Sequence, residues 1–386
     1  MARIVIDARL AGTQHAGIGR YVEELVRELI EIKPKRGSKM DHLVVVLRHP
    51  GQLDWLEKIQ SNSLSLVYRN IPHYSVAEQL VMPFVFWALK PDLLHVPHFN
   101  LPVFFALITR IPVVVTIHDL LWHEQRDSHA TTLHPLMHLL KHKVYVILTN
   151  LVIRSASVVI VPSERVKHEV LEKTHPRRVE VVLDGVKELF FGTEDQQSSF
   201  PAPTKKSFLI AIGSAYPHKN LEYLLEIMTH LPAFELVLCS ARSVFLDALR
   251  DTIKHKNLSV RVHILEHPTD RQLKALLHRS KAFITVSKSE GFGLPALEAM
   301  ATGSLVFASD IPVFHELYKS GAVYLSLKDV QQAVSTIQAT FSSSLSQQEK
   351  QRKQARSIAQ AYRWSHNAQR TQRIYHELLE KHCADL

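Results

Sequence analysis

The chain has 386 residues, of which 46% are hydrophobic and 22% are charged, the composition of an ordinary globular protein. Because a single hydrophobic core stops growing at roughly 250–300 residues, this length predicts two domains. The formal net charge of +9 predicts an anionic partner. No run of five basic residues and no basic stripe interleaved with aromatic residues occurs, which argues against a nucleic-acid-binding surface.

The two cysteines, Cys239 and Cys383, form no CxxC pair. They favour a reducing compartment over a disulfide framework or a cysteine-built zinc site. A strand-like run at residues 3–7 follows Met1 almost directly, so we expect no signal peptide. The longest apolar stretches, such as residues 81–89, are too short to span a bilayer. We therefore expect a cytoplasmic protein that is not an integral membrane protein.

Short apolar runs alternate with longer helical patterns along the whole chain. Most runs are continuous in Val, Ile and Leu, as expected for parallel strands that are buried on both faces. The runs are residues 4–7, 43–47, 64–68, 93–96, 113–117, 158–161 and 179–183, followed by 208–212, 235–239, 260–264, 282–286, 305–308 and 323–325. Amphipathic stretches such as residues 21–32 lie between them. The alternation predicts an α/β fold with two doubly wound, Rossmann-like sheets.

One stretch, residues 194–206, is rich in Ser, Gln and Pro without periodicity, and we interpret it as the linker between two domains. The first domain is then residues 1–193 and the second is residues 207–365. We expect residues 366–386 to form a helix that packs back on the first domain. Ligands of doubly wound sheets bind beyond the carboxyl ends of the strands, so we expect the two domains to face each other across a ligand-binding cleft.

The most informative segment, SKSEGFGLPALEAMATG, follows a predicted strand. Pro295 suits the first position of a helix, and Gly303 suits its end. The glycines of residues 291–293 allow backbone N–H groups to approach a ligand at the helix start. Glu290 precedes this helix and we place Glu298 in its first turn, so both carboxylates can lie beside a bound diphosphate. The alternative is that Glu290 caps the helix and Glu298 is a surface charge.

Three further loops carry candidate ligand-binding residues. The loop IGSAYPHKN follows the strand 208–212 and contains Lys219, whose ammonium could stabilise a departing diphosphate; the alternative is a surface lysine. His118 follows the strand 113–117, where α/β folds place ligand-binding residues. The incomplete glycine motif GIGRY is weak evidence by itself. A metal cluster of His118, Asp119 and His123 is an alternative for the second loop, whereas the pairs His95 and His98, and His138 and His142, are interpreted as structural.

These segments resemble the motifs of the family-4 glycosyltransferases with the GT-B fold. EGFGLPALEAMA resembles the E-x7-E signature of that family, and IGSAYPHKN is similar to its G-x-x-x-P-x-K-N loop. VTIHDL is similar to its strand-His-Asp pattern, and GIGRY, IVPS and VLDGV are smaller matches. In VLDGV, Asp184 stands where relatives usually have Asn. The resemblance runs from about residue 3 to residue 364.

The resemblance implies a role for each matched residue. Glu290, His118 and Lys219 would be the catalytic residues, with Glu290 and His118 on the donor sugar and Lys219 on the diphosphate. Glu298 would hold the ribose. The other donor-binding residues would be Gly17, Gly19, Ser214, Gly291, Phe292, Gly293 and Leu294. Ser214 replaces an arginine of many relatives, and His218 would supply a second cation only if protonated.

The function implied by the resemblance is transfer of a mannose- or glucose-type hexose, with retention of anomeric configuration, from a nucleotide diphosphate sugar to an acceptor hydroxyl. The acceptor would be a glycan or a lipid-linked sugar in polysaccharide, lipopolysaccharide or glycolipid assembly. Lysine takes the place of a metal at the phosphates, so we expect no metal and no cofactor. The alternatives are an epimerase or phosphorylase on the same fold, and a non-catalytic nucleotide- or nucleic-acid-binding protein.

Two apolar segments leave membrane contact open. Residues 126–154 are helical in pattern and basic, and such a surface could dock on anionic lipid at the inner face of the membrane. The interpretation that we favour is a core helix with a solvated basic face. We expect residues 81–89 to pack inside the protein. Contacts to the donor base should lie near residues 265–270, after the strand 260–264.

Overall fold

The structure, a computed structural model, describes residues 2–12, 16–33, 41–120, 135–192, 200–240 and 245–384, with the backbone alone described at residues 16 and 135–141. These residues form two structural units. The first unit combines Met1–Gly185 with Trp364–Leu386, and the second is Val186–Arg363.

Within the described residues, the first unit contains a seven-stranded parallel sheet in the order β3-β2-β1-β4-β5-β6-β7. Its strands are β1 Arg3–Asp7, β2 His42–Leu47, β3 Leu64–Tyr68, β4 Leu93–Val96, β5 Val113–Thr116, β6 Val158–Val161 and β7 Val179–Val181. In register, Val5 of β1 lies between Val44 and Leu94. All three side chains are buried, because helices cover both faces of a parallel sheet.

The helices of the first unit follow the strands in alternation. They are α1 Ala16–Glu31, α2 Asp54–Glu57, α3 Val76–Leu89, α4 Val103–Ile108, α5 Pro135–Ser155 and α6 Glu164–Lys173. The hydroxyl of Ser75 accepts a hydrogen bond from the Glu78 N–H and so fixes the start of α3.

The second unit contains, within the described residues, a six-stranded parallel sheet in the order β10-β9-β8-β11-β12-β13. Its strands are β8 Phe208–Ile212, β9 Glu235–Ser240, β10 Val262–Glu266, β11 Ala282–Thr285, β12 Val306–Ser309 and β13 Val323–Leu325. Its α-helices are α7 Leu221–Thr229, α8 Phe245–His255, α9 Asp270–Arg279, α10 Leu294–Thr302, α11 Pro312–Tyr318, α12 Val330–Ser342 and α13 Leu345–Ala359, with 3₁₀ turns at Glu188–Phe191, Pro217–Lys219 and Lys319–Gly321.

Alternate residues of the second sheet belong to two different hydrophobic clusters. Phe208 and Ile210 belong to one cluster, and Leu209 and Ala211 to the other. Successive strand residues point to opposite faces, so the sheet is buried on both sides. The prediction of two doubly wound parallel sheets is therefore confirmed.

The final helix, α14 Trp364–Ala384, belongs to the first unit and packs on α1. The Asn367 side-chain amide donates to the Leu183 carbonyl at 2.9 Å. Inside this unit, Tyr375 contacts His95, with 2.5 Å between the hydroxyl and Nδ1. These contacts tie the end of the chain to the sheet that its beginning forms.

The unit boundary lies at Gly185, earlier than the predicted end at residue 193. The reason is burial: Val186 and Phe190 are 1% and 0% exposed and belong to a core cluster of the second unit. The predicted linker, residues 194–206, lies outside the described residues up to residue 199.

Two other expectations need correction. The predicted strand 260–264 is β10 Val262–Glu266 in the structure, and Val260 is 78% exposed. In α3, Met82, Val85 and Phe86 are buried, but Val81, Phe84 and Trp87 are exposed, so the segment 81–89 does not simply pack inside. An unbroken apolar run carries no helical period that separates a buried face from an exposed one.

The predicted basic helix, residues 126–154, is described only in part, since residues 121–134 lie outside the described residues. In α5, Val152 and Ile153 are buried, whereas Val144, Ile147 and Leu148 are exposed beside Lys143. Its exposed face is thus apolar as well as basic. Among the helices that the structure describes, none has both the length and the apolar character needed to cross a membrane.

Candidate functional site

The strand order reverses between β8 and β11 in the second sheet, and ligands of doubly wound folds bind at this switch point. The two loops that leave these strands lie side by side. The Lys288 N–H donates to the His218 carbonyl at 2.8 Å, which joins the loop after β11 to the loop after β8. The structure therefore brings together two motifs that are about seventy residues apart in the sequence.

Lys219 and Glu290 form an ion pair between these loops, with 2.5 Å from Nζ to Oε1. The Ser287 hydroxyl donates to the same carboxylate oxygen at 2.7 Å. The side chains of Lys219 and Glu290 are 21% and 12% exposed. Burial raises the pKa of Glu290, but the charge of Lys219 and the hydrogen bonds outweigh it, so this pKa lies below the ordinary value. Glu290 is therefore a carboxylate, an acceptor of hydrogen bonds and not an acid.

Gly293 sets the conformation of the backbone where α10 begins. Its φ of +86° is left-handed. A Cβ at this position would lie 2.0 Å from the Tyr318 hydroxyl and 2.7 Å from Phe314. The Tyr318 hydroxyl donates to the Gly293 carbonyl at 2.7 Å. Only glycine meets both demands, and the N–H groups at the start of α10 are held at the switch point.

The residues beside Gly293 contribute backbone more than side chain. Phe292 is 6% exposed, and its ring packs edge-on against Tyr362 at 5.8 Å. Leu294 is partly buried against the same core cluster. In the predicted donor-binding stretch from Gly291 to Leu294, the main-chain N–H groups are thus better suited to bind a ligand than the side chains are.

Glu298 is placed differently from the prediction. Helix α10 begins at Leu294, with Pro295 as its second residue, so Glu298 lies one turn in and not in the first turn. It is also 1% exposed, which rules out the alternative of a surface charge. The end of the helix is as predicted, because Gly303 is its C-cap with a left-handed φ of +81°.

The loop after β8 carries one charged group at neutral pH. His218 stacks on Tyr216, with ring centroids 6.0 Å apart. Burial and the neighbouring Lys219 lower the pKa of His218 to about 4, although Glu290 opposes this. His218 is therefore neutral at pH 7 and does not replace an arginine. Ser214 is half-buried in the same loop.

In the first unit, His118 follows the end of β5 by two residues. Its Nε2 donates to the Pro97 carbonyl at 3.1 Å, and its ring lies edge-on to Tyr21 at 4.6 Å. Burial lowers the pKa of His118 to about 4, against the effect of the Pro97 hydrogen bond. The imidazole is thus neutral and has a fixed orientation.

A buried polar chain behind His118 was not anticipated from the sequence. His95 is 0% exposed, and its Nε2 contacts the Thr116 hydroxyl at 2.9 Å. That hydroxyl lies 3.2 Å from the hydroxyl of Tyr21, which packs on His118. Burial lowers the pKa of His95 to about 3. This position agrees with the interpretation of His95 as a structural residue. The contacts from His95 through Thr116 hold Tyr21 and His118 in place.

A second network fixes the loop after β1. Arg9 is 0% exposed and contacts both Asp7 and Glu78 at 2.7 Å. The Asn100 amide donates to Glu78 at 2.8 Å. Burial raises the pKa of Asp7, but Arg9 overrides it and lowers the pKa below the ordinary value. In the sequence, this network is indicated only by the charged residues Asp7 and Arg9 at the end of the first apolar run.

Gly17 and Gly19 lie in the first turn of α1. A Cβ at Gly19 would lie 2.0 Å from the Gly12 carbonyl oxygen, so glycine is required there by the chain's own backbone. At Gly17 no atom lies within 4 Å of such a Cβ. Gly17 is thus accessible, whereas the close packing of Gly19 explains its presence without a ligand.

Within the described residues no group of three His, Cys, Asp or Glu side chains is arranged to hold a metal. The alternative cluster included His123, which lies outside the described residues, so that alternative stays a hypothesis. Residues 265–270, expected near the donor base, run from β10, an edge strand, into α9.

Two family models match the chain. The model described as "Glycosyl transferases group 1" matches residues 192–361, and the model described as "Glycosyl transferase 4-like domain" matches residues 16–185. Each match covers most of one structural unit. They do not favour the epimerase or the nucleic-acid-binding alternative.

Curated relatives match part of the chain. It is 32% identical over 126 residues to the O-antigen chain mannosyltransferase RfbU of Salmonella typhimurium, covering 32% of this chain and 36% of that protein. It is 30% identical over 164 residues to GDP-mannose:cellobiosyl-diphosphopolyprenol alpha-mannosyltransferase of Xanthomonas campestris, covering 42% of this chain and 43% of that protein. The matched region thus spans less than half the length of these relatives.

Solved structures show the same fold over the whole chain. A sucrose-phosphate synthase from Thermosynechococcus elongatus matches with a TM-score of 0.79 and 17% identity, covering 99% of this chain and 100% of that one. Anabaena HepE in complex with UDP and glucose matches with a TM-score of 0.70 and 18% identity, covering 98% and 100%.

Proposed function

The chain belongs to the family-4, group 1 glycosyltransferases with the GT-B fold, and on that premise we propose that it transfers a hexose from a nucleotide diphosphate sugar to an acceptor hydroxyl with retention of configuration. The acceptor is a glycan or a lipid-linked sugar. The observation that carries the proposal is the Lys219–Glu290 ion pair at the switch point between β8 and β11.

The pair suits a donor that has an anionic half and a hydroxylated half. Lys219 offers an ammonium to the diphosphate, whose charge grows as the sugar leaves. Glu290 is an ionised acceptor for sugar hydroxyls. The N–H groups at the start of α10 add donors for phosphate oxygens. Because each partner holds the other, both side chains are in position before the donor binds.

The transfer needs no covalent intermediate on the protein. The bond between the anomeric carbon and the diphosphate oxygen breaks, and a new bond to the acceptor oxygen forms on the same face. The proton of the acceptor hydroxyl passes to the departing phosphate oxygen. The carboxylate of Glu290 orients the sugar, and no metal or cofactor is assigned a step.

The remaining donor contacts rest on the sequence resemblance. His118 is assigned to the sugar as a neutral imidazole, Glu298 to the ribose, and Ser214 and Gly17 to the phosphates. Gly19 keeps a donor-binding assignment on the same basis.

Mannose is the sugar that we propose, carried by GDP. The support is the resemblance to relatives named as mannosyltransferases, one of which is named for GDP-mannose. A place in O-antigen or glycolipid assembly follows from the same names.

A panel of GDP-mannose, UDP-glucose and ADP-glucose tests the donor. We expect GDP-mannose to raise the melting temperature of the wild-type protein and to be hydrolysed slowly without acceptor. Glu290→Ala should abolish the hydrolysis while the protein stays folded. If no sugar nucleotide stabilises the folded wild type or is turned over, the proposal is wrong.

A further inference from the structure

Exposed apolar side chains are concentrated on one part of the first unit. Seventeen large hydrophobic side chains are exposed among the described residues, and twelve of them lie on or beside three helices. They are Tyr74, Val76, Leu80, Val81, Phe84 and Trp87 at α3, Phe104, Leu107 and Ile108 on α4, and Val144, Ile147 and Leu148 on α5. We call this set the α3–α5 surface.

The α3–α5 surface is continuous from helix to helix. Helix α3 packs on α4, and α4 packs on α5. The ring of Trp87 lies 5.6 Å from that of Phe84 and 6.5 Å from that of Phe104. Phe84, Trp87 and Phe104 are nevertheless 67%, 38% and 61% exposed. Single exposed hydrophobic residues are normal, but a contiguous group of this size marks a binding surface.

The exposed charges on the three helices have one sign, and the nearby acidic residues Asp92 and Asp119 lie outside these helices. The sequences of α3, α4 and α5 contain one acidic residue, Glu78, which is buried against Arg9. Exposed cations stand at the helix ends and between the apolar residues: Lys90 ends α3, Arg110 follows α4, and Lys143 lies on α5. Tryptophan and phenylalanine flanked by Lys and Arg, on helices without an exposed acidic side chain, suit the boundary of an anionic lipid bilayer.

We propose that the α3–α5 surface docks on an anionic phospholipid bilayer, with Phe84, Trp87 and Phe104 entering the lipid and the cations contacting the headgroups. A second copy of the chain fits less well. A symmetric dimer would place the same surface against itself, and α3, α4 and α5 of the second copy would bring no exposed acidic side chain to pair with Lys90, Arg110 and Lys143. Lipid supplies both the apolar and the anionic complement.

The inference is independent of the donor assignment, because it concerns binding to lipid and not turnover. It also differs from the sequence-based interpretation, which favoured a core helix with a solvated basic face for residues 126–154 and packing inside the protein for residues 81–89. Here most of the apolar contact comes from α3 and α4.

The experiment is co-sedimentation with vesicles of phosphatidylcholine, alone or with about 30% phosphatidylglycerol. We expect the wild-type protein to sediment with the anionic vesicles and to stay largely in solution with the neutral ones. The triple variant Phe84→Ser/Trp87→Ser/Phe104→Ser should reduce the bound fraction about tenfold. It should still unfold cooperatively, at a somewhat lower temperature than the wild type, because Phe84 and Phe104 are 67% and 61% exposed whereas Trp87 is 38% exposed and packs against Phe105.

Matched controls separate this surface from general stickiness. The variant Leu171→Ser/Val260→Ser/Leu345→Ser removes three side chains that are 49%, 78% and 83% exposed elsewhere and should bind anionic vesicles as the wild type does. Lys90→Gln/Arg110→Gln/Lys143→Gln should lose the preference for phosphatidylglycerol, whereas Lys254→Gln/Lys353→Gln, with side chains 72% and 77% exposed, should keep it.

Two results would overturn the proposal. One is a folded wild-type protein that stays in solution with anionic vesicles, or a triple variant that binds them equally well. The other is light scattering that shows a dimer in the wild type and a monomer in the triple variant, since the surface would then join two copies. GDP-mannose hydrolysis in the same samples shows separately whether the donor site is intact.

Discussion

The two sheets share a topology but place different chemistry at the carboxyl ends of their strands. In the second unit the loops after β8 and β11 present an ion pair, Lys219–Glu290, whose side chains are partly exposed. In the first unit His95 within β4 and His118 after β5 are neutral, since burial lowers the pKa of His95 to about 3 and that of His118 to about 4. The charged Arg9 of that unit is buried against Asp7 and Glu78.

The difference indicates that the two units suit different ligands. An ammonium and a carboxylate at a switch point suit the charged diphosphate and the sugar of a donor. The neutral imidazole of His118, held in place by buried polar side chains, suits hydrogen bonding to an uncharged ligand, and the α3–α5 surface suits lipid. On these two proposals, the same fold carries two kinds of site.

The largest expected effect is on turnover, in Lys219→Gln. Loss of the ammonium should reduce kcat/KM about 10²–10³-fold, because the departing diphosphate loses a fixed positive charge. The control is Lys206→Gln, which removes an ion pair with Glu235 in the same unit (3.0 Å) and should change the rate little. Equal losses of kcat/KM in the two variants would show that Lys219 contributes no more to turnover than a lysine outside the switch point.

Gly293→Ala should lower the free energy of unfolding of the second unit by about 3 kcal/mol, through the left-handed φ and the clash with Tyr318. Gly303→Ala is the matched control: its φ is also left-handed, at +81°, but no atom lies within 4 Å of the added Cβ. We expect it to cost about 1 kcal/mol. Urea unfolding measures both, and similar values would show that the Tyr318 contact is unimportant.

A pH test probes the uncharged character of the first unit. Asp184 is 8% exposed, its Oδ1 has no hydrogen-bond partner among the described residues, and burial raises its pKa to about 7. Asp184 ionises at a lower pH in the unfolded protein than in the folded one. The free energy of unfolding therefore falls as the pH rises from about 4 to about 7. Asp184→Asn, the residue of relatives, should remove that loss.

The expected gain for Asp184→Asn is near zero at pH 4 and up to ~4 kcal/mol at pH 8, because each pKa unit corresponds to about 1.4 kcal/mol. Urea unfolding at the two pH values measures it. A difference between variant and wild type that is the same at both pH values would show that Asp184 ionises normally in the folded protein.

The smallest expected effect is at His218, next to Lys219. Because its pKa is lowered to about 4, the imidazole carries no charge at pH 7. His218→Gln should therefore change kcat/KM less than about threefold. The ratio of variant to wild-type rates should also stay constant from pH 5.5 to 8, a range set by that pKa. A ratio that falls as the pH drops would mean that protonated His218 helps to bind the donor.

The sequence predicted the sheets and the switch-point loops because buried parallel strands are continuous apolar runs and the loops that follow them are punctuated by glycine and proline. It could not show that Lys219 touches Glu290, since that contact depends on how β8 pairs with β11. It also misjudged α3, because an apolar helix with one exposed face has the composition of a buried one. The sequence also placed Glu298 in the first turn of its helix. The structure places it one turn in, because α10 begins at Leu294.

The most direct test of the central claim is to measure, by calorimetry, the affinities of GDP and GDP-mannose for the wild type, Lys219→Gln and Glu290→Gln. If Lys219 serves the diphosphate, its variant should bind both ligands about tenfold or more weakly. If Glu290 serves the sugar, its variant should bind GDP at least as well as the wild type does, because a negative charge is gone, and should lose only the affinity that mannose adds. Unchanged GDP binding in Lys219→Gln, or equal losses for GDP and GDP-mannose in Glu290→Gln, would contradict the account.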